Sequence, residues 1–119
     1  MRLELIPWDN GVALREEELR RRLETEGYDV FRWHDEAGAD YQAHSHAHDE
    51  SLWVLDGEIV FGSGGREIRI RRGDRLMLPK GTVHTARAGA AGVTYLIGEL
   101  HHGAAGRRDG RAVVTPPRP

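Results

Sequence analysis

The chain has no cysteine, one lysine and only two phenylalanines, and it has no apolar run near the ~20 residues of a membrane span. Without cysteine there is no disulfide framework, no thiolate nucleophile and no sulfur-ligated metal, so any metal must be held by histidine and carboxylate. Charge of one sign is also lacking: the formal net charge is −2 and the pI about 6.4. That balance gives no electrostatic footprint for nucleic acid or an anionic membrane, and neither is expected as a partner. Met1 to Asn10 carry charges and a proline where a secretory signal needs an apolar run, so a cytoplasmic protein is expected. A length of 119 residues suits one domain with a modest core and leaves no room for a second catalytic module. Sixteen of the seventeen basic residues are arginine, from which no function follows.

Val12, Glu16, Leu19 and Leu23 fall at helical spacing, and Glu16, Glu17 and Glu18 each precede an arginine by four residues, the favourable orientation for helix pairs. A helix is predicted from Leu14 to Glu24, stopped by Gly27. Beyond it, short runs rich in aromatic and β-branched residues read as strands: Asp29 to His34, Tyr41 to His46, Ser51 to Asp56, Glu58 to Phe61, Glu67 to Arg71, Arg75 to Leu78, His84 to Ala88 and Val93 to Leu100. Asp56-Gly57 and the cluster Gly62 to Gly65 read as hairpin signals, and Arg72-Gly73-Asp74 and Pro79-Lys80-Gly81 as tight turns. Frequent turns and short strands predict an all-β domain, a small double-stranded β-helix barrel with a short N-terminal helix. The barrel domain is expected over residues 1–102. Residues 103–119, rich in glycine, arginine and proline, read as a mobile tail in which Ala112 to Val114 could add an edge strand.

The chemistry concentrates in His44, His46, His48 and Glu50, answered by His84. Alternate residues of a strand share a face, so His44 and His46 can present two imidazoles to one ion. Histidine with carboxylate suits iron, manganese, nickel, copper or zinc, whereas all-oxygen sets suit magnesium and calcium. Not all of the cluster can serve one ion. On a straight strand His44 and His48 lie ~13 Å apart, too far to share an ion at ~2.1 Å. A bend at Ala47 to Asp49 would bring Glu50 back beside His44 and His46, leaving His48 outside the bend, in support of the ligands or on the surface.

Gly38, His44, His46, Glu50 and Gly57 stand at the spacing of the first cupin motif, and Gly73, Pro79, Gly81 and His84 at that of the second. The chain thus resembles the cupin family, departing only at Ala88, where the family often has asparagine. The resemblance implies a jelly-roll barrel in which His44, His46, Glu50 and His84 are the metal ligands and the glycines and Pro79 form turns. The expected cofactor is one divalent transition metal, namely iron, manganese or nickel, with zinc also admissible.

Four protein ligands on an ion that prefers six leave positions for a small oxygen-bearing ligand or dioxygen. A dioxygenase-like or isomerase-like enzyme on a small organic substrate follows, with Glu50 as the catalytic base. The rival is a non-catalytic module that binds metal or a small ligand as a sensor or carrier. His34, His101 and His102 are expected to be solvated or simply hydrogen-bonded, Arg87 to lie on the surface, and Trp53 to pack in the core, while Trp33, Tyr41 and Tyr95 either line a pocket or pack. Edge strands of small barrels often pair, so a homodimer is expected.

Overall fold

The computed structural model describes residues 2–8 and 14–100. Val12, His101, His102 and the expected tail, with its edge strand at Ala112 to Val114, lie outside the described residues. The elements run β1 (Glu4–Ile6), α1 (Glu16–Thr25), β2 (Asp29–Asp35), β3 (Asp40–His44), β4 (Asp49–Ser63), β5 (Arg66–Arg71), β6 (Arg75–Leu78) and β7 (His84–Leu100). The fold is the expected all-β jelly roll with one short helix. β1 is an addition to the expectation: Leu5 pairs with Leu76 of β6, and Leu3 is buried against the barrel core.

Two long strands organise everything else. The first half of β4 pairs with β6 and with the second half of β7, while its second half pairs with β5 and with the first half of β7. β7 in turn takes β2 along its second half and β3 along its first. The result is two antiparallel layers, β1-β6-β4-β7-β2 and β5-β4-β7-β3, that share β4 and β7 and close over a common interior. Leu52, Val54, Ile59, Phe61, Ile70, Leu76, Ala86, Val93, Tyr95 and Ile97 fill that interior.

The expected hairpin at Asp56-Gly57 is not a turn. β4 passes straight through it, with register shifts against β7 on both sides. Gly57 has φ +80°, and a Cβ there would stand 2.1 Å from the Gly92 carbonyl oxygen. Only glycine permits that left-handed backbone and that approach, so the pair of strands can bulge and cross from one layer to the other without breaking. The expected strands on either side of Gly57 therefore merge into one, as do those on either side of Ala88 to Val93.

The helix lies on the outside of the barrel. Leu19 and Leu23 are 1% and 0% exposed and pack on Tyr28 and Leu96, each burial contributing about 1.5 to 3 kcal/mol. Trp53 packs in this outer cluster rather than in the barrel core, and its indole donates to the Gly73 carbonyl at 3.0 Å. Of the three expected helix pairs, Glu18 reaches Arg22 at 3.8 Å, whereas Glu16 turns to Arg32 of β2 at 3.1 Å. No helix among the described residues is long and apolar enough to cross a membrane.

Candidate metal centre

His44 ends β3 and His84 begins β7, and the two are paired across the ladder. Glu50 lies one residue into β4, in the other layer. The expected strand through His46 stops short: β3 ends at His44 and His46 belongs to the connection to β4. A backbone bond from Gly81 N–H to the His46 carbonyl, 2.9 Å, ties that connection to the Pro79 to Gly81 turn. The turn of the second motif thus tethers His46 of the first.

The three imidazoles converge. Ring centroids lie 5.0 Å apart for His44 and His46, 4.4 Å for His44 and His84, and 5.3 Å for His46 and His84. Rings that reach one ion at about 2.1 Å have centroids about 3.2 Å from it, so angles between right and tetrahedral separate them by about 4.5 to 5.3 Å. Tautomers agree with this geometry. His44 Nδ1 stands 2.6 Å from the Gln42 carbonyl and His84 Nδ1 2.9 Å from the Thr82 carbonyl. A carbonyl only accepts, so Nδ1 carries the proton in both rings and Nε2 keeps its lone pair, the form that ligates. His46 Nε2 and Glu50 Oε1 are buried without a hydrogen-bond partner among the described residues, a costly condition unless something else is bound there. Burial lowers the His46 pKa, with Glu50 opposing, and so favours the neutral ring.

Two overlapping groups have ligand atoms within 4.8 Å of one another: His44, His46 and His84, and His46, His48 and Glu50. His46 belongs to both, and the four residues singled out in the sequence span the two. His48 is not at the outside of the bend. The chain is not straight between His44 and Glu50, and His48 Nε2 comes 3.1 Å from Glu50 Oε2 and 3.5 Å from Glu99 Oε2. Its hydrogen bonds to these carboxylates raise its pKa to about 9. Glu99, buried at 4% exposure, was not singled out by sequence. Its signal was parity: Val93, Tyr95 and Ile97 face the interior, and Glu99 continues that series.

The hydroxyls of Tyr41 and Tyr95 turn to Asp35 rather than to the histidines, although Tyr41 also borders a groove on the outer face. Both hydroxyls donate to Asp35, as does the Trp33 indole at 3.1 Å. Burial first and these bonds second push the Tyr41 pKa up to about 12 and that of Tyr95 further upward. Arg87 is on the surface, 71% exposed, and the exposed His34 lies 2.9 Å from the Thr94 hydroxyl. A groove of about 510 Å³ runs over the outer face of the β5-β4-β7-β3 layer, lined by Gln42, Glu58, Arg69, Thr85 and Arg87 among others. It lies on the opposite side of the sheet from the histidines, and nothing in its mixed charge matches the chemistry inside.

A family model for the cupin domain matches residues 31–97. No curated protein matches the chain. Among solved structures, a cupin-2 domain containing protein from Shewanella frigidimarina superposes with a TM-score of 0.55 at 24% identity, covering 62% of this chain and 71% of that one. KdgF from a Halomonas species gives 0.54 at 22%, covering 64% and 72%. A DUF861 family protein from Thermotoga maritima gives 0.56 at 14%, covering 83% of this chain and all of that one. At these identities the likeness is one of fold.

Proposed function

Since the chain belongs to the cupin domain family, we propose that it holds one divalent transition metal with His44, His46, His84 and Glu50, and acts as a metal-dependent enzyme on a small oxygen-bearing organic substrate. The observation that carries this reading is the convergence of three imidazoles beside His46 Nε2 and Glu50 Oε1, buried atoms without a hydrogen-bond partner among the described residues. A bound ion would supply a Lewis acid for the substrate oxygen and, if redox-active, electrons for dioxygen chemistry. His44 and His84, each anchored by a carbonyl at Nδ1, fix the site from one layer of the barrel. Glu50 fixes it from the other and lowers its net charge. Its Oε2 is engaged by His48, so Oε1 is the oxygen that would face the ion, and only if released from it could Oε1 take a proton from the substrate and return it, in either a dioxygenase-like or an isomerase-like reaction. The iron, manganese and nickel ions suit this donor set, and zinc is admitted by it. A homodimer in the cytoplasm is the proposed setting.

One observation favours a second reading. Glu50 and His84 are each 1% exposed, and the groove lined by Glu58, Arg69 and Arg87 lies on the outer face of the sheet. Two ligands so deeply buried suit a non-catalytic module in which the ion holds the barrel together or orients a small ligand. Elemental analysis of freshly purified protein, followed by oxygen-electrode screening with diketones, catechols and thiols, separates the two. Iron or manganese at one ion per chain with oxygen uptake supports the enzyme. Zinc that resists exchange, with no turnover, supports the module; protein that takes up no transition metal overturns both.

A further inference from the structure

Glu50 and Glu99 are direct partners across the β4–β7 ladder, and their exposures are 1% and 4%. Like charges directly opposite each other on one sheet face are destabilising, and burial makes each harder to keep charged. A metal ligand set containing Glu50 does not account for Glu99. His48 does. Its Nε2 lies between the two carboxylates, 3.1 Å from Glu50 Oε2 and 3.5 Å from Glu99 Oε2. The imidazole is itself only one-fifth exposed, because the bend after His46 turns it inward over the end of β4.

We propose that His48 and Glu99 form a positioning pair: Glu99 holds the His48 ring, and His48 holds Glu50 by Oε2, so that Oε1 is the oxygen presented for coordination. The proposal rests on the metal-binding reading above and goes beyond it by assigning work to two residues outside the ligand set. It explains why Oε2 of Glu50 has a partner while Oε1 has none among the described residues. It also explains why a glutamate is tolerated at the end of an otherwise apolar inward series on β7. Groups that orient a ligand in this way commonly change metal affinity about tenfold to a hundredfold when removed.

The test uses cobalt(II) as the probe on the full chain, reading stoichiometry, affinity by chelator competition, and the visible absorption that reports coordination geometry. Wild type should take one ion per chain, and Glu50→Ala should lose most affinity. His48→Leu should weaken binding about tenfold to a hundredfold and alter the absorption bands, with His48→Gln, which restores an N–H donor, recovering most of both. Should His48→Leu fold poorly because it leaves two glutamates face to face, His48→Leu with Glu99→Gln removes that repulsion. The double variant should melt near the metal-free wild type yet still bind weakly. Wild-type affinity and bands in the folded double variant would overturn the positioning role while leaving the metal centre intact. Loss in His48→Leu as complete as in Glu50→Ala would make His48 a ligand, and two ions per wild-type chain would make His48 and Glu99 ligands of a second ion; each overturns the proposal. A wild type that binds no cobalt overturns the metal-binding reading and this one with it.

Discussion

Where β2 ends, the Asp35 carboxylate takes hydrogen bonds at both oxygens, from Tyr41 and Trp33 at Oδ1 and from Tyr95 at Oδ2; where β4 begins, Glu50 has a partner at one oxygen and none among the described residues at the other. Both acids are buried inside the same barrel. They sit at different levels of it, Asp35 opposite Val93 and Glu50 opposite Glu99. Around Asp35 every named donor has found an acceptor, so the cluster is complete as it stands. Around Glu50, the buried His46 Nε2 and Glu50 Oε1 have no hydrogen-bond partner among the described residues, and the rings of His44 and His84 close in on that of His46. A satisfied buried network rigidifies a core, whereas unmatched acceptors brought together are destabilising until a cation joins them. The same fold thus carries one polar cluster whose hydrogen bonds are complete and one that leaves two buried atoms without a partner among the described residues.

The largest effect expected from this contrast is at the complete cluster. Asp35→Ala would leave the Tyr41 and Tyr95 hydroxyls and the Trp33 indole without their acceptor, at a cost of about 3 kcal/mol or more. Denaturant melts should show that loss, while metal affinity at low temperature stays close to wild type. A cost under about 1 kcal/mol would mean that water replaces Asp35 easily and the network is not closed.

Next in size is the incomplete cluster. His84 and Glu50 come from different layers, so the unfolded chain binds the ion poorly. An ion at a hundredfold excess over its dissociation constant then adds about 2.7 kcal/mol to the folded state. For a domain of this size that raises the melting temperature by about 10 °C. The gain should fade below about pH 6, because the histidines must be neutral to ligate. Chelating the protein and restoring iron, manganese, nickel or zinc one at a time, in wild type and in His84→Ala, reads this directly. If His84→Ala responds as strongly as wild type, the two layers do not share the ion.

The two clusters were not equally legible in the sequence. The candidate ligands could be read because the motif spacing groups them locally, and the strands because their residues favour extended backbone. The long strands could not, since Asp56-Gly57 carries the composition of a hairpin and only the crossing with Gly92 makes it a bulge. The inward turn of His48 was hidden by treating His44 to Glu50 as straight. Glu99 and Asp35 owe their roles to partners brought together by the ladder: Glu99 faces Glu50, and Asp35 ends β2 where Tyr95 reaches it. Such pairing is a property of the closed barrel and leaves no local signature.

The smallest effect, a titration, tests the complete cluster without breaking it. Burial, helped by hydrogen bonds to Asp35, raises Tyr41 to about 12 and Tyr95 beyond its ordinary value, and burial also raises Tyr28. Tyr41 and Tyr95 should therefore remain neutral in the folded protein at pH 10, and Tyr28 should be less ionised there than an unfolded tyrosine, which is about half ionised. For a group whose folded pKa is raised, the linked stability is fully present below the unfolded value. It is then lost as pH rises toward the folded one. Stability should thus hold up to about pH 10 and decline above it, with the tyrosinate absorbance of Tyr41 and Tyr95 appearing together with the loss of sheet signal rather than before it. Asp35→Asn sharpens the comparison. Without the negative charge, part of the upward shift at Tyr41 and Tyr95 should disappear, and their ionisation should begin at lower pH than in wild type. Tyr28, which lies under the helix with Arg75 rather than Asp35 as its neighbour, should be unmoved. If the folded wild type shows tyrosinate absorbance at the midpoint of an unfolded chain, the Asp35 cluster is open to water, and the contrast between the two ends of the barrel falls.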